Sequence, residues 1–217
     1  MVPAGMAETD QVLFDGPADA PMTIALAHGA GAPMDAPFME TIVAGLAGHG
    51  LRVARFEFPY MAKRRADGAK KLPDRAPVLL QSWREMIDRL GRDRLVVGGK
   101  SMGGRIASMV AAALQAEGAP VRGVVCLGYP FHPPGKPERL RTEHLETIKT
   151  PTLILQGERD PFGRREEVEG YTLSKAVRLH WLPDGDHGLK PRKASGHSEA
   201  ENLTDAVTAL ARFVAAL

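Results

Sequence analysis

The chain of 217 residues holds a single cysteine, Cys126. No internal disulfide can form, which fits a reducing compartment. Cys126 lies in the apolar run 121–127, where a thiol is expected to act as a small buried hydrophobe. Long apolar runs are missing too. None approaches the roughly 18 residues that a membrane span needs, so no membrane partner is expected. The opening residues have no basic stretch followed by an apolar core, so no secretory leader is expected. The cytoplasm is the expected location, and residues 1–10 read as a flexible tail.

Neither sign of charge dominates: 28 Lys and Arg stand against 26 Asp and Glu, a net charge of +2. No recognition motif accompanies the cations, so nucleic acid is not an expected partner. There is no H-E-x-x-H and no paired cysteine, hence no expected metal site. No G-x-G-x-x-G follows a strand with an acidic residue at the right distance, and no Walker loop occurs, so no cofactor is expected. The chain has no internal repeat. Its 44% apolar content and its length suit one domain, 1–217, with a full core.

What the chain does have is alternation. Apolar runs at 22–27, 51–58, 95–98, 121–127, 152–155 and 177–182 read as strands. Segments 37–48, 73–90, 102–116, 164–173 and 199–216 carry helical periodicity or helical composition, and a short helix is expected near 143–148. Residues 11–14 read as an extra antiparallel edge strand. Strands alternating with helices imply βαβ units and a mostly parallel sheet of about six to seven strands with helices on both faces. Ligands of such sheets bind beyond the carboxyl ends of the strands.

The most informative stretch is Gly99-Lys100-Ser101-Met102-Gly103, between an apolar strand and a helical segment. Strand, G-x-S-x-G and helix in that order make a nucleophile elbow. The turn is tight enough to need a small residue two positions before and after the serine, and both are glycine. Ser101 is therefore the candidate nucleophile.

A serine hydroxyl needs a base within hydrogen-bond reach and a group that orients the base. Asp160, in Gln156-Gly157-Glu158-Arg159-Asp160-Pro161 after the strand 152–155, is the candidate acid; Glu158 lies nearer the strand end and is the weaker choice. His187, in Asp184-Gly185-Asp186-His187-Gly188 after the last strand, is the candidate base. His132 also follows a strand and is its rival. His180 reads as structural, His49 as a helix end, and His144 and His197 as solvated. The tetrahedral intermediate needs two N–H donors. Met102, just past the serine at a helix start, should give one. The loop His28-Gly29-Ala30-Gly31-Ala32 should give the other, from Ala30 or, second, Gly29. His28, Tyr60, Tyr129, Phe131 and His132 are the expected pocket residues.

Longer stretches carry a resemblance. His28-Gly29-Ala30-Gly31 with Pro37-Phe38-Met39, Arg55-Phe56-Glu57-Phe58-Pro59-Tyr60, Gly98 through Arg105, and Leu127 through Pro137 are together similar to small α/β-hydrolases. The subgroup is the bacterial relatives of testis-expressed and chromatin-complex (KANSL-type) hydrolase-like proteins, often grouped with dienelactone hydrolases. It implies an α/β-hydrolase fold with a minimal cap and a Ser-Asp-His triad acting on a small-molecule ester or thioester. True dienelactone hydrolases carry cysteine at the elbow, so that chemistry is not carried over to Ser101. Scaffold-like members of the subgroup leave a second expectation open: an idle fold that binds a partner through its basic face.

Most of the Lys and Arg fall in loops expected at the carboxyl edge of the sheet, among them Lys63, Arg64, Arg65, Lys100, Arg105, Arg139, Arg141, Arg159 and Arg192. Such a rim would steer an anionic ester. The stretch 61–75 reads as a basic loop.

Overall fold

The computed structural model describes residues 11–217; the tail expected at 1–10 lies outside the described residues. The chain runs β1 (Val12–Asp15), β2 (Thr23–Ala27), α1 (Pro37–Gly48), β3 (Arg52–Phe56), α2 (Pro59–Asp67), α3 (Ala76–Leu90), β4 (Leu95–Lys100), α4 (Met102–Ala116), β5 (Gly123–Leu127), β6 (Thr152–Gly157), α5 (Arg165–Val168), β7 (Val177–Leu182) and α6 (Glu199–Ala215). The seven strands form one sheet in the order β1-β3-β2-β4-β5-β6-β7. All neighbours are parallel except β1, which pairs antiparallel with β3 at the edge, Val12 opposite Phe56.

The inner strands are apolar on both faces because helices cover both. Side chains alternate along each strand. Ile24, Leu26, Val96, Val125 and Leu153 meet α1 and α6, which bring Ile42, Leu46, Leu203 and Leu210. Ala25, Val97, Val124, Cys126 and Ile154 meet α3 and α4, which bring Leu79, Trp83, Ile106 and Val110. Burying one such large apolar side chain contributes about 1.5–3 kcal/mol. Sequence signals set the helix starts: Pro37 stands in the first turn of α1, and Ser198 and Glu201 cap α6 reciprocally.

The strand order fixes where a site can form. From β2 the chain leaves to one side of the sheet, through α1 to β3. It then crosses back to place β4 on the other side of β2. The carboxyl ends of β2 and β4 are therefore neighbours, Ala27 opposite Gly99, while the following helices α1 and α4 pack on opposite faces. A crevice opens at this reversal.

Three local expectations change. Residues 59–67 are helical rather than loop, and only the remainder of the basic stretch is irregular. The helix expected over 164–173 is confined to Arg165–Val168. The segment 131–150 holds one 3-10 turn, Glu143–Leu145, and no α-helix, so the cap is minimal.

Candidate functional site

Ser101 stands between β4 and α4 with φ 51° and ψ −115°. A non-glycine residue at positive φ outside the left-handed helical well costs on the order of 1–3 kcal/mol. Surrounding bonds hold it there: the Ser101 amide donates to the Leu127 carbonyl and the Arg105 amide to the Ser101 carbonyl, both at 3.0 Å. The glycines at either side are dictated by contact. A Cβ on Gly99 would lie 2.1 Å from the Ala27 carbonyl oxygen, and one on Gly103 would lie 2.5 Å from the same atom.

The Ser101 hydroxyl lies 2.8 Å from His187 Nε2, and His187 Nδ1 lies 2.7 Å from Asp160 Oδ2. A carboxylate only accepts. Nδ1 therefore carries the proton, and bare Nε2 accepts from the serine. Asp160 is fully buried. Its remaining lone pairs take the Gln156 side-chain amide at 2.9 Å and the Phe162 backbone amide at 2.9 Å. The loop after β7 is shaped by Asp186, whose carboxylate accepts from the Gly188 and Lys190 amides. Asn202 of α6 fastens the same loop by donating to the Pro183 and Leu189 carbonyls. The Phe162 ring lies against the His187 ring, centroids 4.3 Å apart.

Lys100, expected only as a rim cation, makes a further contact within the site. Its ammonium donates to the His187 carbonyl and sits 5.2 Å from the Phe38 ring centre. Gly128, at φ 70°, leaves room for it: a Cβ there would come within 2.7 Å of the Lys100 nitrogen. Burial lowers the Lys100 pKa to about 8, against the pull of Asp160 and Asp186.

The loop 28–32 is pinned from below. The Phe58 amide donates to His28 Nε2 at 3.1 Å, so Nδ1 bears the proton and donates to the Gly29 carbonyl at 2.6 Å. Burial lowers the His28 pKa, in keeping with that neutral tautomer. From α2, the Tyr60 hydroxyl reaches the Ala30 carbonyl at 3.0 Å and the Gly29 carbonyl at 3.3 Å, and Arg64 donates to the Gly31 carbonyl. With their carbonyls held, the loop's peptide planes are fixed. Met102 opens α4, where first-turn amides have no partner within the helix.

Two clefts meet at Ser101, and Ala30, Ser101 and Phe162 line both. One, of about 330 Å³, is walled by Pro33, Ala36, Phe38 and Met39 and includes Lys100 and His187. The other, of about 340 Å³, adds Met102, Asp74, Leu79, Arg105, Pro130 and Arg141. Burial lowers the Arg141 pKa, and the charge of Arg105 lowers it further. A groove of about 880 Å³ lies at the opposite end of the sheet, by Val121 and Pro151. It is remote from Ser101.

Residues 20–215 match the family described as an alpha/beta hydrolase domain. The chain belongs to the α/β-hydrolase family. Its fold is similar to a dienelactone hydrolase from Anabaena variabilis (21% identity, TM-score 0.69, covering 93% of this chain and 89% of that one). It is also similar to Est1E from Butyrivibrio proteoclasticus, a structure with ferulic acid bound (15%, 0.67, 95% and 96%), and to a monoacylglycerol lipase from Paleococcus ferrophilus (16%, 0.66, 94% and 98%). At these identities the likeness is one of fold.

Within this α/β-hydrolase fold, Ser101, Asp160 and His187 converge, and Ala30, Gly29 and Met102 adjoin Ser101 at the clefts. The five expected pocket residues do not line either cleft. His28 and Tyr60 lie beneath the 28–32 loop as its fasteners. Tyr129 and Phe131 are fully buried, rings 4.8 Å apart, with the Tyr129 hydroxyl donating to the Arg141 carbonyl. His132 is buried beside the Pro133 carbonyl and Glu167. His144 is not solvated: its Nε2 is 2.7 Å from the Ser108 hydroxyl, and burial lowers its pKa to about 4. His180 pairs with Asp205 of α6. Glu158 takes the Asp184 amide and an ion pair with Arg165.

Part of the basic rim is ion-paired. Arg65 pairs with Asp35 and Glu57, Lys71 with Asp67, and Arg159 and Arg192 with Asp184. Among the described residues, no group of three or more His, Cys, Asp or Glu is placed to hold a metal ion, and no helix is long and apolar enough to cross a membrane.

Proposed function

We propose that this chain is a serine hydrolase that cleaves a small or medium carboxylic ester or thioester through an acyl-enzyme. The observation that carries the reading is the hydrogen-bonded line from the Ser101 hydroxyl through the His187 imidazole to the buried Asp160 carboxylate, at 2.8 and 2.7 Å. Membership of the α/β-hydrolase family supports it.

In this mechanism Ser101 Oγ attacks the acyl carbon while its proton passes to His187 Nε2. Asp160 accepts from Nδ1–H throughout and stabilises the imidazolium. The negative charge that forms on the carbonyl oxygen is met by the Met102 amide and by the amide of Ala30, or in its place Gly29. Each such donor is worth about a hundred- to a thousand-fold in rate. As the tetrahedral adduct collapses, the acyl–oxygen or acyl–sulfur bond breaks, and His187 returns the proton to the leaving alkoxide or thiolate. Water then attacks the acyl-serine, gives a proton to Nε2 and releases the acid. Ser101 regains its proton.

Treatment with a fluorophosphonate probe tests the reading. Wild type is expected to label and Ser101→Ala to remain unlabelled, with both equally folded by circular dichroism. A well-folded wild type that does not label overturns the hydrolase reading in favour of an idle binding fold.

A further inference from the structure

The two clefts that meet at Ser101 differ in chemistry. The Phe38 cleft is walled by apolar side chains. The second holds two guanidinium groups, Arg105 and Arg141. These two differ from the paired rim cations. Among the described residues, neither lies within ion-pair distance of a carboxylate. Arg105 Nε is buried with no hydrogen-bond partner. Like charges held together with a buried donor unsatisfied cost stability unless an anion joins them. Asp74, the one carboxylate lining the cleft, accepts from the Tyr60 amide at 2.9 Å instead. Two arginines and one aspartate leave the cleft one positive charge in excess. That excess matches a monoanion such as a carboxylate better than a dianionic phosphate.

The direction of the substrate follows from His187. The group that protonates the leaving oxygen must be within its reach, and His187 lines the Phe38 cleft and not the arginine cleft. The leaving alcohol therefore occupies the apolar side. The acyl half extends past Met102 toward the arginines. We infer that the substrate is a half-ester of a short dicarboxylic acid, with its free carboxylate bonded by Arg105 and Arg141 and its apolar alcohol in the Phe38 cleft. This rests on the reading of Ser101 as the acylated residue. Hydrolysis consumes water and releases the dicarboxylate and the alcohol.

The test compares kcat/KM for mono-4-nitrophenyl glutarate and 4-nitrophenyl butyrate, which differ at the far end of the acyl chain. Wild type is expected to favour the half-ester at least tenfold. Arg105→Gln and Arg141→Gln are each expected to cut that preference about tenfold or more, the scale of a charge-assisted hydrogen bond. Arg141→Lys should fall between, and Arg178→Gln, exposed on β7, should leave the preference as it is. In parallel, Ser101→Ala is titrated calorimetrically with monomethyl glutarate, with and without Arg141→Gln. Turnover of both esters at equal kcat/KM, or a preference that neither glutamine variant moves, overturns the carboxylate site and leaves the serine hydrolase standing. Arg141-dependent binding by Ser101→Ala, without hydrolysis of either ester by wild type, supports the carboxylate site and overturns the hydrolase reading. Neither binding nor turnover overturns both.

Discussion

Lys100 holds His187 by the backbone: its ammonium donates to the carbonyl of the residue whose ring accepts from Ser101. Consecutive residues at the end of β4 thus grip one loop residue at two points. The ammonium is held in a setting that lowers its pKa to about 8. Above that pH the charge-assisted bond weakens.

The first prediction concerns this grip. kcat/KM of wild type should decline above about pH 8. Lys100→Arg, charged at every accessible pH, should move the decline upward. Lys100→Met should remove that limb and lower the rate about tenfold. Stability should move the other way. The native pKa lies below the unfolded value, so the protonated amine destabilises the fold at pH 7, and that cost disappears as pH rises through 8 toward 10.5. Lys100→Met should therefore melt higher than wild type at pH 7. Parallel pH–rate and melting series check both parts.

A second prediction concerns Asp160. Asp160→Asn keeps the shape but offers an amide donor to Nδ1, which favours the wrong imidazole tautomer. Ester turnover should fall by roughly three to four orders of magnitude, with KM little changed. Steady-state kinetics on 4-nitrophenyl butyrate measure it.

Tyr60→Phe isolates the fastening of the 28–32 loop. The lost hydroxyl bonds only to the Ala30 and Gly29 carbonyls. The effect should fall on kcat, by about three- to tenfold for one neutral hydrogen bond. An equal loss from KM alone would place Tyr60 in substrate binding instead.

Acid stability should carry the mark of His144. Its native pKa, about 4, lies below the ordinary 6.5 because burial disfavours the cation. The unfolded chain takes up the proton first, so stability present above pH 6.5 is lost as pH falls toward 4. Allowing for partial exposure, the loss between pH 7 and 5 should be about 1–2 kcal/mol. His144→Gln should flatten that part of the curve. Urea unfolding at both pH values measures it.

The site's reactive line is more legible in the sequence than its walls. Ser101, Asp160 and His187 each follow the end of a parallel strand within five residues, and the carboxyl ends of parallel strands lie on one edge, so local signals suffice to bring them together. Helix α2 was hidden because its nine residues are mostly basic or small and bury only Tyr60, Met61 and Ala62, too little for a periodic signal. Tyr129 and Phe131 looked like cleft walls because composition does not say which way a loop side chain turns; both turn inward. His144 looked solvated because the residue that engages it, Ser108, is 36 positions away. The rim looked broadly basic because ion pairing is a property of distance in space. Only the folded chain shows that Arg105 and Arg141 share the cleft at Ser101 without an ion pair.

Cys126 lies at the middle of the sheet, fully buried, opposite Gly99 of β4 and with its thiol directed at the Gly104 carbonyl. Burial raises its pKa, so the native thiol is both shielded and un-ionised. Because α4 covers this face of the sheet, an alkylating reagent should reach the thiol only when α4 lifts away. The lone thiol therefore serves as a built-in clock for the parting of α4 from the sheet. Its modification rate reads the lifetime of the intact scaffold without any added label.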